Sequence, residues 1–210
     1  MNKLTIVREC HSYDSPREWD NLGTMAYKHR NYTLGEERIS DPIDWLESML
    51  NLNPKYIYSD DRLSELEGKF FEKFIGHKLY LYDHSGITIS TSPFSCPWDS
   101  GQVGYIYVSK EKVRKEYGIK RITEEWKNKI LSYLDGEVET FDQYLRGDVY
   151  SFTIEDDNGD VINSCGGFYG DDFAENGMAD HIDHEDLGLS SHEELIEMLK
   201  NAEVEEPEYY

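Results

Sequence analysis

The feature that most restricts the fold is a recurring pattern. Short β-rich runs are joined by Gly-containing turns, and amphipathic helical stretches lie between the hairpins. Lys78–Tyr82 and Ile87–Thr91 flank Asp83-His84-Ser85-Gly86, and Val149–Glu155 and Asp160–Cys165 flank Asp156-Asp157-Asn158-Gly159. A Gly-containing link between β-rich runs predicts a hairpin, and Asn-Gly is among the strongest such signals because its turn needs positive φ. Lys3–Arg8 and Val103–Val108 add two more strand candidates. Asp41-Pro42 opens a helix, with Asp as N-cap and apolar residues at 43, 46, 49 and 50 on one face. Ser15-Pro16-Arg17-Glu18-Trp19 carries the same start signal. Asp60–Ile75 places Leu63, Leu66, Phe70, Phe71 and Phe74 on a core face, with Gly76 as the expected stop. Ser109 caps a short helix running to Tyr117, and Thr123–Leu145 is the longest helical stretch. Ser190 or Ser191 caps a last helix over Glu193–Ala202. No regular βαβ alternation occurs. The expected fold is therefore α+β, a mainly antiparallel sheet built from hairpins with several packed helices.

The charge is uneven. The chain has 210 residues, with 43 acids against 21 bases and a net charge of −22. From Gly147 onward there are 19 acids and one base, Lys200, while the first 146 residues are close to balance. Aromatic residues make up 13%, more than a disordered acidic chain carries, so a packed core is expected. The organisation expected from length and charge is an α+β body over 1–170, charge-balanced up to about 146. An acidic extension over 171–210 follows, with a short helix and a frayed end. Such an acidic chain repels phosphates, so no direct nucleic-acid or membrane partner is expected. No apolar run approaches the ~18 residues of a membrane span, and the N-terminal run is too short for a signal peptide. Cys10, Cys96 and Cys165 are odd in number and widely spaced, which fits reduced thiols in a cytoplasm.

Two segments suggest chemistry. The link Thr91–Gly104 holds Cys96, Asp99 and Ser100 among two Pro and two Gly, and with His84 it supplies a candidate thiol site. A buried structural cysteine in a Pro-fixed loop is the plainer account. In Asp180–Asp186, the spacing of His181 and His184 would place both on one helix face, as metal ligands require. The segment nevertheless reads as a loop, so neither a metal nor another cofactor is expected. Asp156 opens what resembles a calcium loop, but its sixth and twelfth positions are Val161 and Gly167, so the hairpin prevails. Phosphate-loop, dinucleotide and nucleophile-elbow motifs are absent. The basic cluster Lys110, Lys112, Arg114, Lys115, Lys120 and Arg121 is interleaved with glutamates and is expected to form a salt-bridged helix face.

Leu79–Tyr107, with its core Ser-Cys-Pro-Trp-Asp-Ser-Gly-Gln-Val-Gly, together with Glu137–Phe152 and Ser164–Asp172, resembles a family of proteins encoded by bacteriophages and other bacterial mobile elements. The resemblance covers roughly the central half of the chain. It implies a viral or mobile-element setting and brings no site residue with it; the expected location, from the cysteines, is the cytoplasm of the bacterial host. The functional expectation is a counter-defence protein that inhibits a host nuclease, of CRISPR or restriction type. It would do so by presenting carboxylates to a basic nucleic-acid-binding groove. The residues expected to form that surface are Asp156, Asp157, Asp160, Asp171, Asp172, Glu175, Asp180, Asp183, Glu185 and Asp186. Two alternatives stand beside it: a small enzyme using Cys96, His84 and Asp99, and a phage interaction module whose acidic surface is incidental.

Overall fold

The computed structural model describes residues 2–9 and 14–205. Over these residues the chain is α+β, with nine strands in two mostly antiparallel sheets and five α-helices. The strands are β1 (Lys3–Arg8), β2 (Thr24–Tyr27), β3 (Glu37–Arg38), β4 (Phe74–Asp83), β5 (Ile87–Ser90), β6 (Ser100–Ser109), β7 (Val149–Glu155), β8 (Val161–Tyr169) and β9 (Val204–Glu205). The helices are α1 (Pro42–Met49), α2 (Asp60–Lys73), α3 (Lys110–Glu116), α4 (Glu124–Arg146) and α5 (His192–Lys200). Two compact units result, one from 1–15 with 143–210 and one from 16–142. The division falls inside α4 and not in a Pro- or Gly-rich linker, so composition does not mark it. Position 170 lies within the first of these units.

In the 16–142 unit, a five-stranded sheet runs β3-β2-β6-β4-β5. The Asp41 side chain caps α1 by accepting from Ile43 N at 2.9 Å, and Ser59 caps α2 by accepting from Arg62 N at 3.2 Å. Both helices press their apolar faces on one side of the sheet, where Trp45, Leu46, Leu66, Phe70, Phe74 and Tyr105 are buried. Trp45 stacks on Tyr105 with centroids 5.4 Å apart. Each such side chain contributes roughly 1.5–3 kcal/mol by leaving water. Ile106 and Val108 alternate to the opposite face. There Leu134 of α4 packs so close to Gly23 that a Cβ at residue 23 would sit 2.6 Å from it.

Two helix expectations change. The start at Ser15-Pro16 yields only a 3-10 turn, Pro16–Glu18, because β2 must begin at Thr24. The second helix stops at Lys73, and Phe74-Ile75-Gly76 opens β4 instead of ending the helix. Gly76 is required for strand approach, since a Cβ there would lie 2.1 Å from the Ile106 carbonyl oxygen.

Buried charges tie this unit together. Arg17, only 7% exposed, donates to Glu36, to Glu137 and to the Gly23 carbonyl. Glu137 also accepts from the Leu22 and Gly23 amides. Arg62 pairs with Glu47 at 2.5 Å, and Glu67 accepts from Lys78, Gln102 and the Tyr105 hydroxyl. Burial, with the Glu67 carboxylate beside it, raises the Tyr105 pKa far above the usual tyrosine value.

In the other unit, the sheet runs β8-β7-β1-β9. The first strand pairs antiparallel with β7, Ile6 opposite Phe152, and parallel with β9, Ile6 opposite Val204. Val204 and Glu205 are thus paired with a strand rather than frayed, whereas the expectation for 206–210, like Cys10, lies outside the described residues. The hairpin β7–β8 turns on Asn158-Gly159, with Gly159 at φ 85°. Its core holds twelve buried residues, seven of them after position 170: Phe173, Met178, Ala179, Ile182, Leu187, Leu195 and Leu199. The acidic segment is therefore part of this core. No helix of the described residues is long and apolar enough to cross a membrane.

Candidate functional site

The 143–210 segment displays its carboxylates because its apolar residues are consumed as anchors. Phe173, Met178, Ile182 and Leu187 point into the core, and the acids between them remain outside. Asp157, Asp160, Asp171, Asp172, Glu175, Asp180, Asp183 and Glu185 are exposed, while Asp156 and Asp186 are half-buried. Three of these acids also hold the backbone that presents the others. Asp156 accepts from Asn158 N at 2.8 Å and Asp160 N at 2.9 Å, Asp172 from Ala174 N at 3.2 Å, and Asp183 from Glu185 N at 3.0 Å. The amides of Asp160 and Asn158 hold the Asp156 carboxyl below its ordinary value, the cause being direct hydrogen bonding to the charged form.

The structure brings these residues together in groups. Asp156, Asp157 and Asp160 share the β7–β8 turn. Asp180 lies in the 3-10 turn Met178–His181, Asp183 caps the next, and Glu185 and Asp186 lie within it, over His184–Leu187. The amide side chain of Asn163 on β8 donates to the His181 carbonyl at 3.0 Å, which draws the hairpin arm beside those turns. Asp171, Asp172 and Glu175 form a loop closed by Asn176, whose side chain donates to the Gly170 carbonyl at 2.8 Å. Val161 and Ile162 are 58% and 46% exposed next to the acidic turn, an apolar pair that the charge pattern did not single out.

Basic residues scarcely offset this surface. The unit carries 21 acids against four bases, a net charge of −17. Arg8 and Arg146 both pair with Asp148, and Lys3 pairs with Glu205 at 3.2 Å. Lys200 lines a depression with Asp171 and Asp172.

The expected helix face for His181 and His184 does not form, because each histidine belongs to a separate 3-10 turn. Among the described residues, no group of three or more His, Cys, Asp or Glu side chains is placed to hold a metal ion.

The Cys96 segment does assemble. Cys96 Sγ lies 3.6 Å from Asp99 Oδ2, and His84 Nδ1 lies 3.4 Å from the same oxygen. Ser100 Oγ donates to the Cys96 carbonyl, and Asp83 N donates to the Asp99 carbonyl at 2.9 Å, so the loop is fixed at the β4–β6 end. Thiol catalysis needs the order nucleophile, base, orienting acid. Here the carboxylate occupies the middle position, and among the described residues no hydrogen bond joins Cys96 to His84. The His84 and Asp99 side chains are 63% and 40% exposed, so water is not excluded. Cys96 and Cys165 are both free thiols.

The basic cluster departs from expectation. Among the described residues, no ion pair joins Lys110, Lys112, Arg114, Lys115, Lys120 or Arg121 to a carboxylate. Lys110 and Lys112 donate instead to backbone carbonyls, of Glu72 and Asn21. Helical spacing alone therefore did not produce the salt-bridged face.

No protein-family model, characterised protein or solved structure matches the chain.

Proposed function

We propose that this protein is an acidic competitor. Its 143–205 surface docks into a basic nucleic-acid-binding groove of a host defence nuclease, of CRISPR or restriction type, and displaces the nucleic acid. The setting is the cytoplasm of a bacterium carrying a phage or other mobile element. The observation that carries the reading is the net −15 of the unit's described residues, in which three of the four bases are already paired internally. Duplex DNA offers one charge per ~1.7 Å of axis, and a groove built for that density attracts a dense carboxylate surface by the same long-range force. A packed core beneath the acids supports the reading, because a preorganised surface loses less entropy on docking than a disordered tail. The exposed Val161 and Ile162 supply apolar contact within the charged surround.

The test is displacement. Labelled duplex DNA is bound to DNA-binding nucleases purified from the host, and release is followed by fluorescence anisotropy as the protein is added. Release by wild type and by Cys96→Ala alike supports the reading. Release lost in Cys96→Ala but kept when the acids are neutralised contradicts it and favours thiol chemistry.

A further inference from the structure

The five basic residues Lys110, Arg114, Lys120, Arg121 and Lys127 line one cavity of about 590 Å³ in the 16–142 unit. Two helices and the link between them bring them there. Lys110 and Arg114 are one turn apart on α3, Lys120 and Arg121 lie in the link to α4, and Lys127 stands in the first turns of α4. Their side chains leave the charge unsatisfied. Lys110 reaches only a backbone carbonyl, and among the described residues Arg114, Lys120, Arg121 and Lys127 make no side-chain hydrogen bond or ion pair. Acids outnumber bases two to one in this chain, so five cations lining one cavity, none paired with a carboxylate among the described residues, are not explained by fold electrostatics. Glu72 and Glu124 also line the cavity, which leaves a wall of five positive charges against two negative ones. Phe71, Ile75 and Ile122 supply the apolar part of the lining, and Gly68 and Thr123 complete it.

Like charges held together in this way cost energy unless an anion bridges them. Guanidinium and ammonium donors that converge on a small volume suit phosphoryl oxygens. The volume falls within the ~300–1,000 Å³ of small-molecule sites. The α4 N-terminus, where Thr123 Oγ1 accepts from Trp126 N at 3.3 Å, adds positive backbone dipole on the same side. Neither a phosphate loop nor a dinucleotide fingerprint is involved, so sequence motifs do not reveal the cavity. We infer that it binds a nucleoside polyphosphate, with the phosphate chain on Arg114, Lys120, Arg121 and Lys127 and the base against Phe71 and Ile122. This site belongs to the unit that does not carry the acidic surface, and it stands or falls independently of the competitor reading.

The experiment is calorimetric titration of the full chain with adenosine diphosphate, uridine diphosphate, inorganic pyrophosphate and adenosine. A diphosphate nucleotide is expected to bind more tightly than pyrophosphate, and adenosine is expected not to bind. The double variant Arg114→Gln/Lys120→Gln removes two exposed charges. It is expected to weaken nucleotide binding at least ~10-fold, as loss of charge-assisted contacts does. Lys115→Gln, also on α3 but outside the cavity, should stay within about 2-fold. Circular dichroism checks that each variant is folded. Absence of nucleotide binding at millimolar concentration, or binding unchanged in the folded double variant, overturns the inference. Equal affinity for pyrophosphate and nucleotide overturns the placement of the base.

Discussion

Leu195→Ala tests whether the acidic segment belongs to a core. Leu195 lies on α5, has no solvent exposure, and packs in the core that Phe173, Met178, Ile182, Leu187 and Leu199 share with Ile6, Phe152 and Phe168. Truncation removes three carbons. At ~0.8 kcal/mol for each, the transfer term alone comes to about 2.4 kcal/mol. The cavity left behind brings the expected loss to about 3–4 kcal/mol, inside the range for fully buried leucines. The four tryptophans, Trp19, Trp45, Trp98 and Trp126, all lie in 16–142, so fluorescence does not read this unit. Amide hydrogen exchange in peptides covering 149–169 does. Those amides should exchange about 150- to 900-fold faster in the variant, in step with the lost free energy at ~1.36 kcal/mol per factor of ten. Protection in 149–169 that changes by less than ~1 kcal/mol would refute the reasoning, since it would mean that α5 is not part of what holds β7 and β8.

Three further outcomes follow from named contacts. Glu137→Ala takes from Arg17, whose side chain is 5% exposed, one of its two carboxylate partners, the other being Glu36, and strips the acceptor from two amides. It should cost about 3–5 kcal/mol in urea unfolding read by tryptophan fluorescence, and a loss below ~1 kcal/mol would contradict the clamp. Gly104→Ala would put a Cβ 2.0 Å from the Ala26 carbonyl oxygen, backbone against backbone, so the same assay should show a loss of about 1–3 kcal/mol or more. Asp156 has its folded pKa lowered from 3.8. The stability it contributes is present above that value and is lost as pH falls through the lower folded value. A carboxyl NMR titration should place its midpoint below 3.8, and a midpoint at or above 3.8 would contradict the turn geometry.

The sequence exposed what is local. Asp41, Ser109 and Ser191 cap the helices they precede, and the Gly86 and Asn158-Gly159 turns join the strands on either side. What it hid depends on distant partners. The strands β2, β3 and β9 are four, two and two residues long, too short to show a period, and exist because β6, β2 and β1 offer them hydrogen bonds. Phe74 continues the helical spacing of Phe70, yet pairing with Ser109 on β6 claims it for a strand. The Arg17, Glu36 and Glu137 clamp joins residues up to 120 positions apart, and no local pattern announces it. For the candidate surface, the charge was plain but its support was not. Phe173, Met178, Ile182 and Leu187 recur at intervals of five, four and five, neither strand nor helix period, so an anchored segment looked like a loose extension. Strand ends allow His84, Cys96 and Asp99 to approach one another, but that the aspartate stands between the other two depends on how β4 and β6 pair.

The claim that the acidic unit competes with nucleic acid is tested most directly by the salt and charge dependence of displacement. Wild type and the variant Asp160→Asn/Asp171→Asn/Asp180→Asn/Glu185→Gln, all at exposed positions, are titrated against host nuclease bound to labelled duplex at two ionic strengths. Wild type should displace DNA well at ~50 mM salt, and its affinity for the nuclease should fall steeply by ~200 mM as screening shortens the field. The variant should lose affinity at low salt and show a shallower salt slope. Equal displacement by wild type and variant, or displacement by wild type that does not change with salt, would contradict the account.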